Sequence, residues 1–202
     1  EPGSVVVTDS TSVNLFKVLA AALDRAVAMN GGKRRGILTE RDNFPTDNYI
    51  AEGLIQLTGQ TYELVRVDTP QALLSALDED VAVLMLTHVN YRNGFRHDME
   101  ALTAAAHAVG ALVIWDLAHS AGAMPVDLAA TRVDFAVGCT YKYLNGGPGA
   151  PGYLYVAPQH LGHCQQPLSG WFAHATPFAF SPDYQPAHDI KQFLCGTPPV
   201  LS

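Results

Sequence analysis

The sequence predicts an α/β fold: a mostly parallel sheet sandwiched by helices. Three observations carry this. Short apolar runs rich in β-branched residues recur along the chain and lack the polar alternation of a half-exposed strand. Stretches with helical apolar spacing lie between them. Glycines and prolines mark the changes of period. Strands that alternate with helices and are apolar on both faces are those of a parallel sheet covered on each side.

Taken in order, SVVVTDS (4–10) is a short β-branched strand. Val13, Phe16, Leu19, Leu23 and Val27 then recur at helical spacing, and Gly31-Gly32 supplies the stop. RGILTE (35–40) is a second strand. Residues 47–58 fit a helix, with Thr46 as its cap and Gly59 beyond its end. A strand at 62–67, a helix at 70–77 opened by Pro70, and the fully apolar strand VAVLMLT (81–87) follow. The turn-rich NYRNGFRHD, with Asn93-Gly94 at its centre, leads into a helix at 99–109 that Gly110 ends. Further strands are expected at 111–116 (ALVIWD), 135–139 and 152–156. Beyond Val156 the pattern dissolves into Pro-, His- and Gln-rich sequence. The final TPPVLS does not resemble a domain end, so the chain is expected to be a piece of a longer protein.

Composition narrows the function. The 202 residues are 48% apolar and 15% charged, which suits a globular chain of one large domain or two small ones and excludes a disordered one. A net charge of −7 has the wrong sign for holding nucleic acid by its phosphates. No apolar stretch reaches the ~20 residues of a membrane span, and EPGSVVVTDS lacks the basic start and apolar core of a signal peptide. Cys139, Cys164 and Cys195 are odd in number and share no CxxC spacing, which favours neither a disulfide framework nor a zinc site. The chain reads as a soluble cytoplasmic enzyme with no nucleic-acid or membrane partner.

Several motifs can be weighed. Gly147–Gly152 formally matches GxGxxG, but its two prolines precede a strand rather than open a helix, so it is no dinucleotide fingerprint. His160 and His163 alone have a close ligand-like spacing, without an evident carboxylate nearby, and no metal is expected. Only four lysines are present. Lys17 falls inside a helix, Lys33 in a basic turn, and Lys191 in the irregular tail. Lys142 instead follows FAVGC directly, between Tyr141 and Tyr143, and runs into Asn145-Gly146-Gly147. An amine at a strand end beside a glycine-rich loop is a candidate Schiff-base residue. The competing reading is a lysine stem packed on tyrosines with its amine in water.

Asp116 ends the most apolar strand, where open α/β sheets place ligands. A carboxylate there needs a cationic partner, such as the protonated pyridine nitrogen of pyridoxal phosphate; the alternative is a cap for the segment starting at Ala118. His119 is placed to touch the same ligand. Asp9-Ser10-Thr11-Ser12 ends one strand and opens a helix, an arrangement that binds phosphate or simply caps the helix. Lysine, aspartate and hydroxyl-rich helix start together describe one cofactor.

These segments resemble the kynureninase family, pyridoxal-phosphate enzymes of the aminotransferase class V group, over essentially the whole chain. The carriers are DSTSVNLFK (9–17), ERDNFPTDNYIAEGL (40–54), LTHVNYRNGFRHDM (86–99), IWDLAHSAGAMPVDL (114–128), GCTYKYLNGGPGAPGYLYV (138–156), QPLSGWF (166–172) and LCGTPP (194–199). Related desulfurases and aminotransferases share the Asp and Lys positions but not FPTD, WDLAHSAGA or YKYLNGGPG.

The resemblance implies the large domain of the aspartate-aminotransferase-type (fold type I) fold, spanning 1–202, with 157–202 an irregular extension at a homodimer interface. It implies cofactor contacts from Thr11, Ser12, Phe44 (stacking on the ring), Asp47, Thr87, Asp116, His119, Tyr141 and Lys142, and from Trp171 and Thr197 across the dimer. Lys142, Tyr141 and Asp116 would be catalytic, with no metal. The implied reaction is hydrolytic Cβ–Cγ cleavage of L-kynurenine or 3-hydroxykynurenine to anthranilate or 3-hydroxyanthranilate and L-alanine, in tryptophan catabolism and NAD biosynthesis. The arginine that grips the substrate α-carboxylate would belong to a small domain outside this chain, so the fragment is expected to lack the substrate clamp. Another class V enzyme, such as a cysteine desulfurase or amino-acid lyase, is the nearest alternative. It would need a reactive cysteine that neither Cys164 nor Cys195 offers in a recognisable motif. A non-catalytic module that keeps the fold is the third reading.

Overall fold

The structure, a computed structural model, describes residues 2–59 and 61–198. Seven strands form one sheet: β1 (Val5–Val7), β2 (Gly36–Glu40), β3 (Glu63–Val67), β4 (Val81–Thr87), β5 (Leu112–Asp116), β6 (Phe135–Cys139) and β7 (Gly152–Val156). Their spatial order is β1-β7-β6-β5-β4-β2-β3. β7 runs antiparallel to both its neighbours, while the pairs among β2 to β6 are all parallel. The expected mostly parallel sheet is therefore present, with β7 alone reversed.

Side-chain alternation sends each strand into two cores. On one face Ile37, Val83, Met85, Ile114, Phe135 and Val137 pack under α1 (Thr11–Asn30) and α2 (Pro45–Leu57). On the other, Leu38, Leu84, Leu86, Val113 and Trp115 meet α3 (Ala72–Ala76) and α4 (Met99–Val109). Each fully buried Leu, Ile or Phe removes enough apolar surface from water to contribute roughly 1.5–3 kcal/mol. Trp115 is entirely buried and satisfies its indole N–H on Thr103 Oγ1 at 3.1 Å.

Local chemistry sets the boundaries. Ser10 caps α1, its Oγ accepting from Val13 N, and Gly31 ends it in the left-handed conformation (φ 70°). β1 is shorter than the expected 4–10 because Asp9 turns the chain at φ 46°. α2 begins at Pro45, before the expected start, with Phe44 rather than Thr46 at the cap position and no side-chain cap bond. Proline's fixed φ and missing N–H suit a first helical residue. After Val156 regular structure gives way to four 3₁₀ turns, at Pro158–His160, Trp171–Ala173, Pro177–Ala179 and Ile190–Phe193. Residues 199–202 of the expected extension lie outside the described residues.

Candidate active site

Parallel strands deliver their carboxyl ends to one edge of the sheet, and there the site residues meet. Thr87 and Asp116 close β4 and β5 and stand opposite each other in the ladder. Lys142 lies three residues past the end of β6. Beside them are the starts of α1 and α2. A cavity of about 120 Å³ lies among these segments, lined by Thr11, Ser12, Phe44, Asp47, Asp116, His119, Tyr141 and Lys142, together with Ser10, Thr46 and Ala118. A larger cavity of about 560 Å³ beside His107 and Arg132 has no such convergence of strand ends.

At the centre, Lys142 Nζ lies 2.9 Å from His119 Nε2, which makes the imidazole the acceptor and puts its own proton on Nδ1. That Nδ1 is buried without a partner. Burial, and after it the Lys142 charge, hold His119 below its ordinary pKa. The Lys142 amine is also 5.9 Å from the centre of the Phe44 ring and 5.8 Å from that of Tyr141.

Below this layer two carboxyl groups are buried together. Asp116 is pushed up to about 6, chiefly by burial, against the Ala118 N–H and the Lys142 charge. Asp47 rises well above the ordinary carboxylate range, first through burial and then through the Asp116 charge. The Asp116 charge disfavours a second charge on Asp47, so the buried pair resists double ionisation. Asp116 Oδ1 also accepts from Ala118 N at 2.7 Å, so the capping alternative is realised on a turn without displacing the carboxylate from the cavity. Burial, then Cys139, raises the Tyr141 phenol above its usual range, keeping it a proton donor.

Thr87 lines no part of the cavity. It stands behind it, its hydroxyl meeting Asn43 Oδ1 and lying 3.4 Å from Asp47 Oδ2. Asn43 is a residue that sequence reasoning misses: its Oδ1 also accepts from Phe44 N at 2.8 Å, and its Nδ2 donates to Thr39 Oγ1 at 3.1 Å. It fixes the Phe44 backbone to β2 and β4. Its place directly before FPTD is the one hint the sequence offers. Trp171 and Thr197 are not brought to the site within this chain. Trp171 lies in an aromatic cluster with Phe172, Phe178 and Phe180, and Thr197 is exposed. His160, considered for a metal, instead meets Asp134 Oδ1 at 2.7 Å.

The cavity has the donor set for pyridoxal phosphate. Thr11 Oγ1 is buried with no partner, at the first turn of a 20-residue helix whose free N–H groups favour an anion. The carboxylate of Asp116, an amine and an aromatic ring complete what a phosphorylated, protonated pyridine aldehyde requires.

Residues 5–202 match the model of the family described as Aminotransferase class-V. The chain belongs to the aminotransferase class-V family.

Among class-V relatives, kynureninase of Pseudomonas fluorescens is 58% identical over 200 residues, covering 99% of this chain and 48% of that protein. Kynureninase of Burkholderia pseudomallei strain K96243 is 54% identical with the same coverage. The chain thus spans about half the length of the curated relatives it matches. Among solved structures, the apo cysteine desulfurase of Thermococcus onnurineus NA1 superposes with a TM-score of 0.79 at 24% identity, over 97% of this chain and 48% of that one. A C-DES mutant with glycine covalently linked to its PLP cofactor gives 0.78 at 19%, over 98% and 52%. At these identities the likeness is one of class-V fold.

Proposed function

We propose that this chain is the cofactor-binding large domain of a kynureninase, which hydrolyses the Cβ–Cγ bond of L-kynurenine or 3-hydroxykynurenine to release anthranilate or its 3-hydroxy counterpart and L-alanine. The observation that carries the reading is the meeting of Lys142 with His119 over the Asp47–Asp116 pair, in a chain 58% identical to a kynureninase. Bound pyridoxal phosphate would supply a conjugated ring that accepts the electron pair left by bond cleavage.

Lys142 would bind the cofactor through Nζ and, once freed by the substrate amine, move the proton at the substrate α-carbon. Asp116, ionised at neutral pH, would hold the proton on the ring nitrogen. Asp47, whose ionisation burial and the Asp116 charge both oppose, would stand beside it as a second acid. Phe44 and His119 would flank the ring and exclude water from it. Ser10, Thr11 and Ser12 would receive the phosphate, with Tyr141 near it and able to return a proton. Thr87 supports Asp47 and Asn43 from behind.

The remaining parts of the reading extend beyond this cavity. We place 157–202 at a homodimer interface, where Trp171 and Thr197 would serve the partner's site. The exposure of Phe178 (74%) and Phe180 (72%) beside Trp171 supports an interface there. The substrate-carboxylate arginine would come from a small domain outside these residues. No helix among the described residues is long and apolar enough to cross a membrane, and the three free cysteines suit a reducing cytoplasm.

The test is a visible absorption titration with pyridoxal phosphate, followed by borohydride reduction and peptide mapping. The expected result is a yellow band with the label on Lys142; label on Lys17, Lys33 or Lys191 overturns the site. The reaction itself is tested by the fluorescence of released anthranilate or 3-hydroxyanthranilate upon addition of L-kynurenine or 3-hydroxykynurenine to the protein extended by its small domain, and absence of product from both substrates rejects it.

A further inference from the structure

Lys17 is completely buried within α1, away from the cavity. An ammonium in that position carries a desolvation cost of several kcal/mol unless it is paired, and it is held at two points. Its Nζ donates to Asp9 Oδ2 at 2.5 Å and to the Phe193 carbonyl at 2.6 Å. Asp9 is the residue that turns the chain from β1 into α1, with a left-handed φ of 46° that L-residues other than glycine seldom adopt.

The other bonds around this turn all fasten it in place. Thr8 Oγ1 donates to the same Asp9 oxygen at 2.9 Å, and the Asp9 carbonyl accepts from Gly152 N at 2.6 Å. Asn14 Nδ2, wholly buried, donates to the Thr8 carbonyl at 2.7 Å. Gly152 presses so closely that a Cβ there would stand 2.9 Å from Thr11 N. The product of this turn is the presentation of Ser10, Thr11 and Ser12 to the cavity.

We infer that Lys17 is a positioning residue for the anion cradle at the start of α1. It acts through Asp9, and its second bond ties that cradle to the carboxy-terminal segment leading from Phe193 to Thr197. This rests on reading Ser10–Ser12 as the seat of the cofactor phosphate.

The experiment compares pyridoxal phosphate with pyridoxal, which lacks the phosphate, by visible absorption titration of the wild-type chain and of Lys17→Met. The wild type prefers the phosphorylated form. In Lys17→Met that preference falls about tenfold or more, the scale of one lost charge-assisted hydrogen bond, while pyridoxal affinity stays near the wild-type value. Equal weakening of both ligands overturns the inference but leaves the cofactor site standing. A wild type with no preference for the phosphorylated form removes the cradle reading itself.

A second variant separates positioning from bulk stability. Glycine adopts φ near +46° without strain, so Lys17→Met combined with Asp9→Gly regains most of the preference for phosphate. If Lys17→Met alone does not fold, Lys17→Gln, which keeps a donor but not the charge, carries the test: a lowered preference for phosphate with pyridoxal affinity held upholds the inference, and an unchanged preference overturns it.

Discussion

Asp47 and Asp116 are buried against each other at the carboxyl edge of the sheet, and the Asp116 charge raises the cost of ionising Asp47. In the ligand-free protein this pair is a liability. Asp116 ionises near pH 6 in the folded state and near 3.8 when unfolded. The folded form therefore holds an extra proton between those values, and stability is lost as pH rises from about 4 to 6, on the order of 3 kcal/mol for Asp116 alone. Asp116→Asn keeps an acceptor for Ala118 N, flattens that slope in thermal unfolding, and stabilises the ligand-free chain at pH 7. On the proposed function, the same substitution in the protein extended by its small domain would lower kynurenine turnover about a hundredfold or more, the scale for losing one preorganised electrostatic partner. His88 has the opposite sign: burial first, then Arg96 and His97, push it down to about 4, so its contribution is lost as pH falls from 6.5 toward 4. Only the difference between wild type and variant isolates Asp116.

Lys142→Ala removes the cation 2.9 Å from His119. The His119 pKa then rises, though burial keeps it below the ordinary 6.5. Asp116 rises as well, since the Lys142 charge opposes its shift. Imidazole chemical shifts followed against pH provide the check. An unchanged His119 titration would mean the two side chains do not meet in solution.

Gly122→Ala combines two penalties. Its φ of +85° is left-handed, and a Cβ there would stand 2.4 Å from the Tyr143 carbonyl oxygen. The loops carrying His119 and Lys142 are pressed together at this point. The substitution costs about 1–3 kcal/mol or more in chemical unfolding and weakens pyridoxal phosphate binding. Gly147→Ala, at φ +81° with nothing within 4 Å, bears only the conformational penalty and is the milder control.

Asp134 sits at the other end of the sheet, just before β6. Its carboxylate receives Val113 N at 2.9 Å and meets His107 Nε2 and His160 Nε2, both at 2.7 Å. Burial pushes its pKa upward, but His107 and His160 together hold it below the ordinary range. Its contribution is present above the unfolded value of 3.8 and is lost as pH falls through the lower folded value. Asp134→Asn destabilises by about 2–3 kcal/mol at neutral pH, while pyridoxal phosphate affinity in the folded variant is unchanged. Equilibrium unfolding paired with a cofactor titration tests both halves.

Most of the scaffold is legible in the sequence because buried parallel strands are continuous apolar runs. VAVLMLT and LVIWD announce both their own position and the edge at which Thr87 and Asp116 emerge. Lys142 and Asp116 stand out because a charged group directly after such a run must be answered by a counter-charge, a hydrogen bond or a ligand. Asn43 and Lys17 do not stand out. Asn43 works on Thr87, 44 residues away, and Lys17 ties Asp9 to Phe193, 176 residues from Lys17, links that no local pattern encodes. The start of α2 departs from expectation because Thr46 is a good cap by type, whereas Pro45 has already committed the backbone.

β1 forms its ladder with β7, some 150 residues later in the chain, and the sheet edge it makes leads straight into the turn at Asp9. During synthesis β1 leaves the ribosome long before the strand that must receive it. The hydroxyl-rich start of α1 thus lacks its Gly152 and Phe193 anchors until the end of this segment has been made. Closing so long a loop is entropically slow compared with forming the neighbouring βα units. On the proposed reading, cofactor capture would be a late event in maturation, and the appearance of a yellow band during refolding would report closure of the sheet rather than its nucleation.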